Sequence, residues 1–136
     1  MDVTPYLTFN GSCAAAFKFY ERTLRGKISF VQTFGNSPAK DQVPPDWRDK
    51  VVHVRLEVGN KALMGSDAPG PHYQTPQGMS VSVNVPTFTE ARRIFEALAD
   101  DGSVTMPFAQ TFWSPGFGML VDRFGTPWMI GCEQAA

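Results

Sequence analysis

The feature that most constrains the fold is a plan of secondary structure that occurs twice along the chain. Residues 13–24 and residues 88–98 each place apolar side chains at intervals of three and four, which predicts two amphipathic helices. Gly26 and Gly102 follow these segments and are predicted to end the two helices. Each half of the chain therefore has the order strand, helix, strand, strand, strand, which indicates an internal duplication.

The strands are predicted from the alternation of apolar and polar side chains, which places the two kinds on opposite faces. The clearest cases are residues 51–58 and residues 79–85. Their polar faces carry His53, Arg55, Glu57, Ser80, Ser82 and Asn84. The other strand candidates are residues 6–10, 27–34, 62–65, 103–110, 117–121 and 127–132. We expect each helix to cover the apolar face of its sheet and to leave the polar face open.

Two proline-rich segments separate these elements. Residues 68–77 are predicted to link a first module, residues 1–67, to a second, residues 78–136. The other segment, residues 36–50, is a polar loop whose single large apolar side chain is Trp47; this residue either folds over a ligand site as a lid or packs against a partner subunit. The predicted fold is α+β, a single domain of two paired βαβββ modules whose half-open mixed sheets enclose a cleft.

Composition excludes several classes of function. The net charge of the 136 residues is -1 and no run of basic residues is present, so we expect no nucleic-acid partner. No apolar run approaches the roughly 18–20 residues that a membrane helix needs. The first residues lack the pattern of a signal peptide, and Cys13 and Cys132 have no ligand spacing. These features predict a cytoplasmic protein with two free thiols and no membrane partner.

Three stretches of the sequence resemble one protein family. They are residues 6–11 with residues 16–20, residues 62–67, and the run from Phe112-Trp113 through Asp122-Arg123-Phe124-Gly125 to Trp128-Met129-Ile130. Together they are similar to the PhnB-like branch of the vicinal oxygen chelate superfamily, which also holds glyoxalase I and the bleomycin-resistance proteins. The resemblance implies paired βαβββ modules and a homodimer. Ala15 departs from the branch, which tends to have glutamate there.

The resemblance also indicates where a metal ion would be held. Metal enzymes of the superfamily use His, Glu or Gln near the start and the end of each module. Those places fall near Pro5, Leu63 or Met64, Ser80 and Met129, none of which is a ligand for zinc, iron or manganese. We therefore expect no metal and no cofactor. An older label for the branch, a ubiquinone-pathway methyltransferase, gains no support, since no Gly-rich strand-to-helix loop is present to hold an adenosyl cofactor.

Two groups of side chains near turns are candidates for ligand binding. Phe112, Trp113 and Phe117 are suited to wall a pocket for a planar or apolar ligand. The alternative is that they pack in the core or in a dimer interface. Ser66 and Asp67 are candidates at the mouth of the cleft. The alternative for them is a turn that closes the fourth strand, with Asp67 as a local acceptor.

The polar faces of the two alternating strands supply further candidates. His53 with Glu57 or Arg55 is a candidate acid–base pair, because residues two apart on a strand share a face. The alternative is a solvated or ion-paired sheet face. On the other strand, hydrogen-bonding groups are expected to orient a ligand rather than to react: Ser80, Ser82 and Asn84.

Two functions from different classes follow from these predictions. The first is a metal-free protein that binds a small organic molecule in the cleft, as the drug-sequestering members of the superfamily do. The second is an enzyme of lyase, isomerase or dioxygenase type, with a metal held by residues not identified above or with acid–base groups near His53. The lack of ligands at the four metal places favours the first.

Overall fold

The computed structural model describes all 136 residues, which form two compact units, Met1–Gln74 and Thr75–Ala136. Each unit contains one four-stranded sheet of mixed direction and one α-helix. The predicted fold class, α+β with two βαβββ modules and open sheets, is confirmed. No helix of the chain combines the length and the apolar character that crossing a membrane requires.

The first unit has the strand order β1-β4-β3-β2. Strands β1 and β4 are parallel, and the other two pairs are antiparallel. The elements are β1 (Tyr6–Phe9), α1 (Cys13–Thr23), β2 (Lys27–Thr33), β3 (Val51–Val58) and β4 (Lys61–Asp67). The loop between β2 and β3, predicted to be polar and irregular, contains three short 3-10 turns, and its Trp47 packs edge-on against Phe34 with ring centroids 6.3 Å apart.

The second unit repeats this arrangement with the strand order β5-β8-β7-β6. Its one parallel pair is β5 with β8, as β1 with β4 is in the first unit. The elements are β5 (Val81–Val85), α2 (Phe88–Ala99), β6 (Ser103–Ala109), β7 (Gly116–Val121) and β8 (Pro127–Cys132). Strand β5 begins two residues later than the alternation predicted, so Ser80 precedes the strand.

The two helices end differently from the sequence prediction. Arg25 (φ 54°) and Asp101 (φ 58°) take the left-handed conformation, and the glycines follow them. Gly26 and Gly102 are needed for close packing instead. A Cβ on Gly26 would lie 2.5 Å from the carbonyl oxygen of Glu57, and one on Gly102 would lie 2.4 Å from that of Val121. The chain therefore passes against a strand backbone at both places, where only glycine fits.

One face of each sheet is covered by the helix of its own unit. In the first unit the rings of Phe9, Phe17 and Tyr20 contact one another under β3 and β4. In the second unit Trp128 is fully buried, and its indole N–H donates to Asp122 Oδ2 at 2.8 Å. Burial of such side chains stabilises each unit by about 1.5–3 kcal/mol per residue.

The carboxylate of Asp67 joins three segments of the first unit. It lies at the end of β4 and is 3% exposed. Its Oδ1 accepts hydrogen bonds from the backbone N–H of Gly11 at 2.8 Å and of Cys13 at 3.0 Å, and its Oδ2 accepts one from Val51 at 2.9 Å. Strand β4, predicted to end at Gly65, continues to this residue because Phe9 pairs with it in register. The side chain thus fixes the start of α1 and the start of β3.

We predict that Asp67→Asn destabilises the protein by about 2–4 kcal/mol. The amide group replaces one acceptor oxygen with an N–H donor that would face a backbone donor, and hydrogen bonds to buried charged groups are worth about 1.5–3 kcal/mol each. Urea denaturation measures the loss. The exposed Asp49→Asn variant is the matched control and should stay within about 0.5 kcal/mol of the wild type. Equal stability of the two variants would contradict the role given to Asp67.

Candidate functional site

The sheet face of the first unit that points away from α1 carries a row of side chains across all four strands. The strand register aligns Tyr6 with Met64, Met64 with Arg55, and Arg55 with Phe30. Residues directly opposite each other on paired strands project to the same side. The row therefore places an aromatic side chain at each end and the guanidinium group of Arg55 between them. Tyr6 and Phe30 are each 46% exposed.

His53 lies in the next row and contacts both aromatic ends. Its ring is nearly parallel to that of Tyr6 (20°), with centroids 5.7 Å apart, and lies 5.8 Å from the ring of Phe30. The hydroxyl of Tyr6 is 3.1 Å from Nδ1 of His53. In the tautomer with the proton on Nε2, the hydroxyl donates this bond and the Nε2–H group is free to meet a ligand. These three rings are named the His53 cluster below.

Arg55 has no acidic partner. Its Nη1 contacts the sulfur of Met64 at 3.8 Å, a weak interaction, and no carboxylate lies within ion-pair distance. Glu57 is exposed two residues further along β3 on the same face, where its register partner on β2 is Lys27. Of the predicted candidates on β3, His53, Arg55 and Glu57 thus share one face, and the ion-paired alternative does not apply to Arg55.

The predicted pair Ser66 and Asp67 is split between the two faces of β4. Ser66 is half-buried, pairs with Thr8 in register and lies on the same face as the His53 cluster. Asp67 points to the opposite face, where the backbone uses both of its oxygens. Only Ser66 therefore adjoins the candidate site. Asp67 is a backbone acceptor, as the alternative proposed, but its donors are 16 to 56 residues away and not in a local turn.

The open sheet face of the second unit is largely apolar. The register aligns Ser82 with Met129, Met129 with Met119, and Met119 with Met106, so three methionines lie side by side on β8, β7 and β6. Methionine adapts its shape to irregular ligands more readily than branched side chains do. The methionine row is a feature that no local sequence pattern predicted.

The next row of this face contains two of the predicted candidates. The register brings Asn84, Gly131 and Phe117 together. The amide of Asn84 donates to Glu133 at 3.3 Å. Ser82 and Asn84 therefore share the open face with Phe117, whereas Ser80 lies outside β5.

The loop between β6 and β7 carries the other two predicted aromatic candidates. Phe112 is 97% exposed and Trp113 is 53% exposed, so neither packs in the core. Their rings meet edge to face with centroids 4.6 Å apart, and Trp113 meets Phe117 in the same way at 5.3 Å. The turn is held by Ser114, whose N–H donates to the hydroxyl of Thr111 at 3.1 Å. Phe112 and Trp113 therefore do not pack in the core. Contact of these side chains with a ligand or with a partner subunit stays a prediction.

The side chains at the four predicted metal places do not fit a divalent ion. Met64 and Met129 lie on the open faces, where their thioethers are soft donors, and Tyr6 and Ser82 are their register partners. No group of three or more His, Cys, Asp or Glu side chains lies close enough together to hold a metal ion. Zinc, iron and manganese take imidazole, carboxylate or thiolate ligands in proteins. No chemical step is therefore assigned to a metal.

Cys13 is a titratable group that is fully buried. Burial, and to a smaller extent the charge of Asp67, raises the pKa of the Cys13 thiol well above its usual value of 9.0. The thiolate is the nucleophilic form, so this side chain is unsuited to nucleophilic catalysis.

We predict that Cys13 makes the protein less stable as the pH rises above about 9. The folded state keeps the thiol proton where the unfolded chain loses it, so the unfolding free energy falls by up to about 1.4 kcal/mol per pH unit. Urea titrations between pH 8 and pH 10 measure this slope, which should be shallower in Cys13→Ala. Parallel slopes in the two proteins would exclude the proposed link.

Comparison of the sequence with known protein families shows the family to which the chain belongs. The model of a family described as 3-demethylubiquinone-9 3-methyltransferase matches residues 1–131. The chain belongs to this family. The predicted membership of the PhnB-like branch of the vicinal oxygen chelate superfamily is thus confirmed.

Individual relatives agree with this assignment. Protein YjdN of Escherichia coli (strain K12) is 32% identical over an alignment of 140 positions, which includes 96% of this chain and 94% of the relative. The crystal structure of protein PA1353 from Pseudomonas aeruginosa is 48% identical with a TM-score of 0.88, and 98% of each chain is covered. A Bacillus cereus structure described as a putative 3-demethylubiquinone-9 3-methyltransferase, PhnB protein, is 25% identical with a TM-score of 0.82, and covers 97% of this chain and 99% of its own. A glyoxalase-related enzyme from Fulvimarina pelagi shares the fold at 15% identity, with a TM-score of 0.63 and coverage of 98% and 89%.

The family description implies an adenosyl methyl donor, which the residues of this chain do not fit. Such cofactors are held at the start of a helix by free backbone N–H groups after a parallel strand. Before α1, the N–H groups of Gly11 and Cys13 are bonded to Asp67. Before α2, the hydroxyl of Thr87 accepts the N–H of Glu90. No methyl-transfer step is therefore derived.

Proposed function

We propose that this PhnB-like protein binds a small organic molecule without a metal ion, on the open sheet face of its first unit. The observation that carries the proposal is the His53 cluster, in which the ring of His53 contacts those of Tyr6 and Phe30 on a face that α1 does not cover. Exposed aromatic groups of this kind are costly to leave in water and commonly mark ligand sites. The predicted cleft and homodimer stay predictions, so the proposal is confined to this face.

The chemistry of the cluster suits a planar ligand. Tyr6 and Phe30 each expose nearly half of their surface, and His53 lies between them with a ring nitrogen that can bond to a polar group. An aromatic molecule that covers these rings removes apolar surface from water at about 25 cal/mol per Å². The methionine row of the second unit, with Ser82 and Asn84 beside it, is a second apolar surface of the same kind.

We predict that His53→Ala weakens binding of a neutral aromatic probe, 2-naphthamide, by about tenfold. A tenfold change corresponds to about 1.4 kcal/mol, which is the scale of one lost ring contact. Calorimetric titration measures the affinity, and shifts in the backbone amide NMR signals of β3 identify the face. The matched control is His72→Ala, because His72 is exposed in the 3-10 turn Gly70–His72 and lies outside the cluster.

Two results would overturn the binding proposal. One is an unchanged affinity in His53→Ala. The other is a wild-type protein in which 2-naphthamide at millimolar concentration shifts no signal of β1, β2 or β3. Native mass spectrometry of the freshly purified protein adds an independent readout, since a retained small molecule would appear as added mass that unfolding releases.

A second function, acid–base catalysis, is supported by the hydrogen bond between Tyr6 and His53. An imidazole whose Nδ1 is held by a hydroxyl has its Nε2 positioned toward a ligand, as a general base or acid requires. As a base, His53 would be in the other tautomer, in which Nδ1–H donates to the Tyr6 hydroxyl oxygen and Nε2 is unprotonated. On an enolisable ligand, Nε2 would take a proton from the carbon next to a carbonyl, and the resulting imidazolium, after exchange with solvent, would return one to the same carbon. The C–H bond is broken to give an enolate, and a new bond to a solvent-derived hydrogen forms at the same carbon, so the net result is hydrogen exchange.

We predict for this second function that the protein accelerates deuterium uptake at the methylene carbon of phenylpyruvate in D2O. Mass spectrometry of the probe measures the rate against buffer alone. His53→Ala should reduce the rate to that of buffer, Tyr6→Phe should reduce it partly, and His72→Ala should leave it unchanged. Equal rates with wild-type protein and buffer would rule out this function and leave the binding proposal standing.

A further inference from the structure

We infer that the open face of the first unit selects planar aromatic molecules that carry a single carboxylate, with Arg55 as the partner of the anion. The inference rests on the proposed function, since it names the class of ligand for the same face. It assigns recognition of charge to a residue that makes no ion pair within the chain.

The position of Arg55 is the first support. It lies in the middle of the row that crosses the sheet, between Met64 on β4 and Phe30 on β2. Its contact with the Met64 sulfur at 3.8 Å occupies one N–H group, while the remaining donors of the guanidinium have no protein acceptor. Guanidinium groups bind carboxylates through two parallel hydrogen bonds, which fixes the orientation of the bound molecule as well as its charge.

The distance between Arg55 and the His53 cluster is the second support. Residues two apart on a strand lie about 7 Å apart along it and project to the same side. A fused two-ring aromatic acid spans this distance, so its rings meet the His53 cluster while its carboxylate meets Arg55. The rings of Tyr6 and His53 are nearly parallel, at 20°, so one planar ligand can align with both.

The other charges near this surface are consistent with a monoanion. Glu57 is the one acidic side chain of β3, and it is exposed beyond Arg55, on the side away from His53. Its register partner is Lys27, whose positive charge offsets its repulsion of an anion. A phosphate group would require more donors, and the backbone N–H groups of Gly11 and Cys13 at the start of α1 are already bonded to Asp67. One free guanidinium therefore favours one carboxylate.

The test compares 2-naphthoate with 2-naphthamide, two probes of nearly equal shape that differ in charge. In calorimetric titrations at low salt, we expect the wild-type protein to bind 2-naphthoate about tenfold more tightly than 2-naphthamide. Arg55→Gln should abolish this preference. Lys18→Gln is the charge-matched control, and it should keep the preference because Lys18 is exposed on α1, the helix that covers the opposite face of the sheet.

A second variant keeps the test valid if Arg55→Gln fails to fold, a defect that thermal denaturation would show. Arg55→Lys keeps the positive charge and the alkyl stem but loses the two parallel donors, so it should keep only part of the preference. The inference would be overturned if Arg55→Lys and Arg55→Gln both kept the full preference for 2-naphthoate over 2-naphthamide.

The failure of the inference is distinguishable from the failure of the proposed function. If 2-naphthamide binds at β3 as tightly as 2-naphthoate, the selection of an anion is overturned and the binding function stands. If neither probe shifts any β3 signal, both are overturned. If 2-naphthoate alone binds but Arg55→Gln does not weaken it, the anion is recognised elsewhere and the assignment of Arg55 is overturned.

Discussion

Each unit of this protein depends on a buried carboxylate that binds backbone N–H groups. Asp67 holds the start of α1 and the start of β3, and Asp122 holds the turn before β8 and the indole of Trp128. A charge removed from water is tolerated only where such donors surround it. Because Asp67 draws the first turn of α1 toward the end of β4, it helps to seat the helix on one face of the sheet. α1 leaves the opposite face uncovered, and the candidate site lies on that face.

The uncovered faces of the two units have different chemistry although their strand orders match. The first carries aromatic rings, one imidazole and one unpaired guanidinium, whereas the corresponding rows of the second carry methionines and amide or hydroxyl groups. A duplicated fold can thus present two unlike surfaces from one topology, since side chains on an open face are constrained less by packing than those beneath the helix. Family membership and fold are shared with proteins of several functions, so the function has to be argued from these side chains.

Much of the fold was predictable because its signals are local. Helical spacing predicted α1 and α2 to within a residue or two, and alternation predicted the bounds of β3. The length of β4 was not predictable, since it depends on the pairing of Phe9 with Asp67, 58 positions apart in the chain. The roles of Gly26 and Gly102 were also not predictable, because no residue near either glycine in the sequence indicates its close approach to a distant strand.

The candidate site was predictable only in part, for a similar reason. Alternation along β3 places His53 and Arg55 on one face, and the sequence shows this directly. Tyr6 and Phe30 were missed as partners of His53 because the register between strands is set by turns and packing far from either residue. The methionine row was missed for the same cause, since each of its members comes from a different strand.

The outer strands β2 and β6 are irregular, which opposes the addition of a further strand to their sheets. Each lies at an edge of its sheet, where unpaired backbone groups invite another chain to add a strand. Both strands are interrupted by register shifts, β2 near Phe30 and Thr33 and β6 on either side of Met106, and β6 also contains Pro107, which lacks an N–H group. Irregular edges of this kind oppose the flat, continuous pairing that leads to aggregation. The same distortions that turn Phe30 and Met106 to the open faces thereby help to keep the protein dispersed.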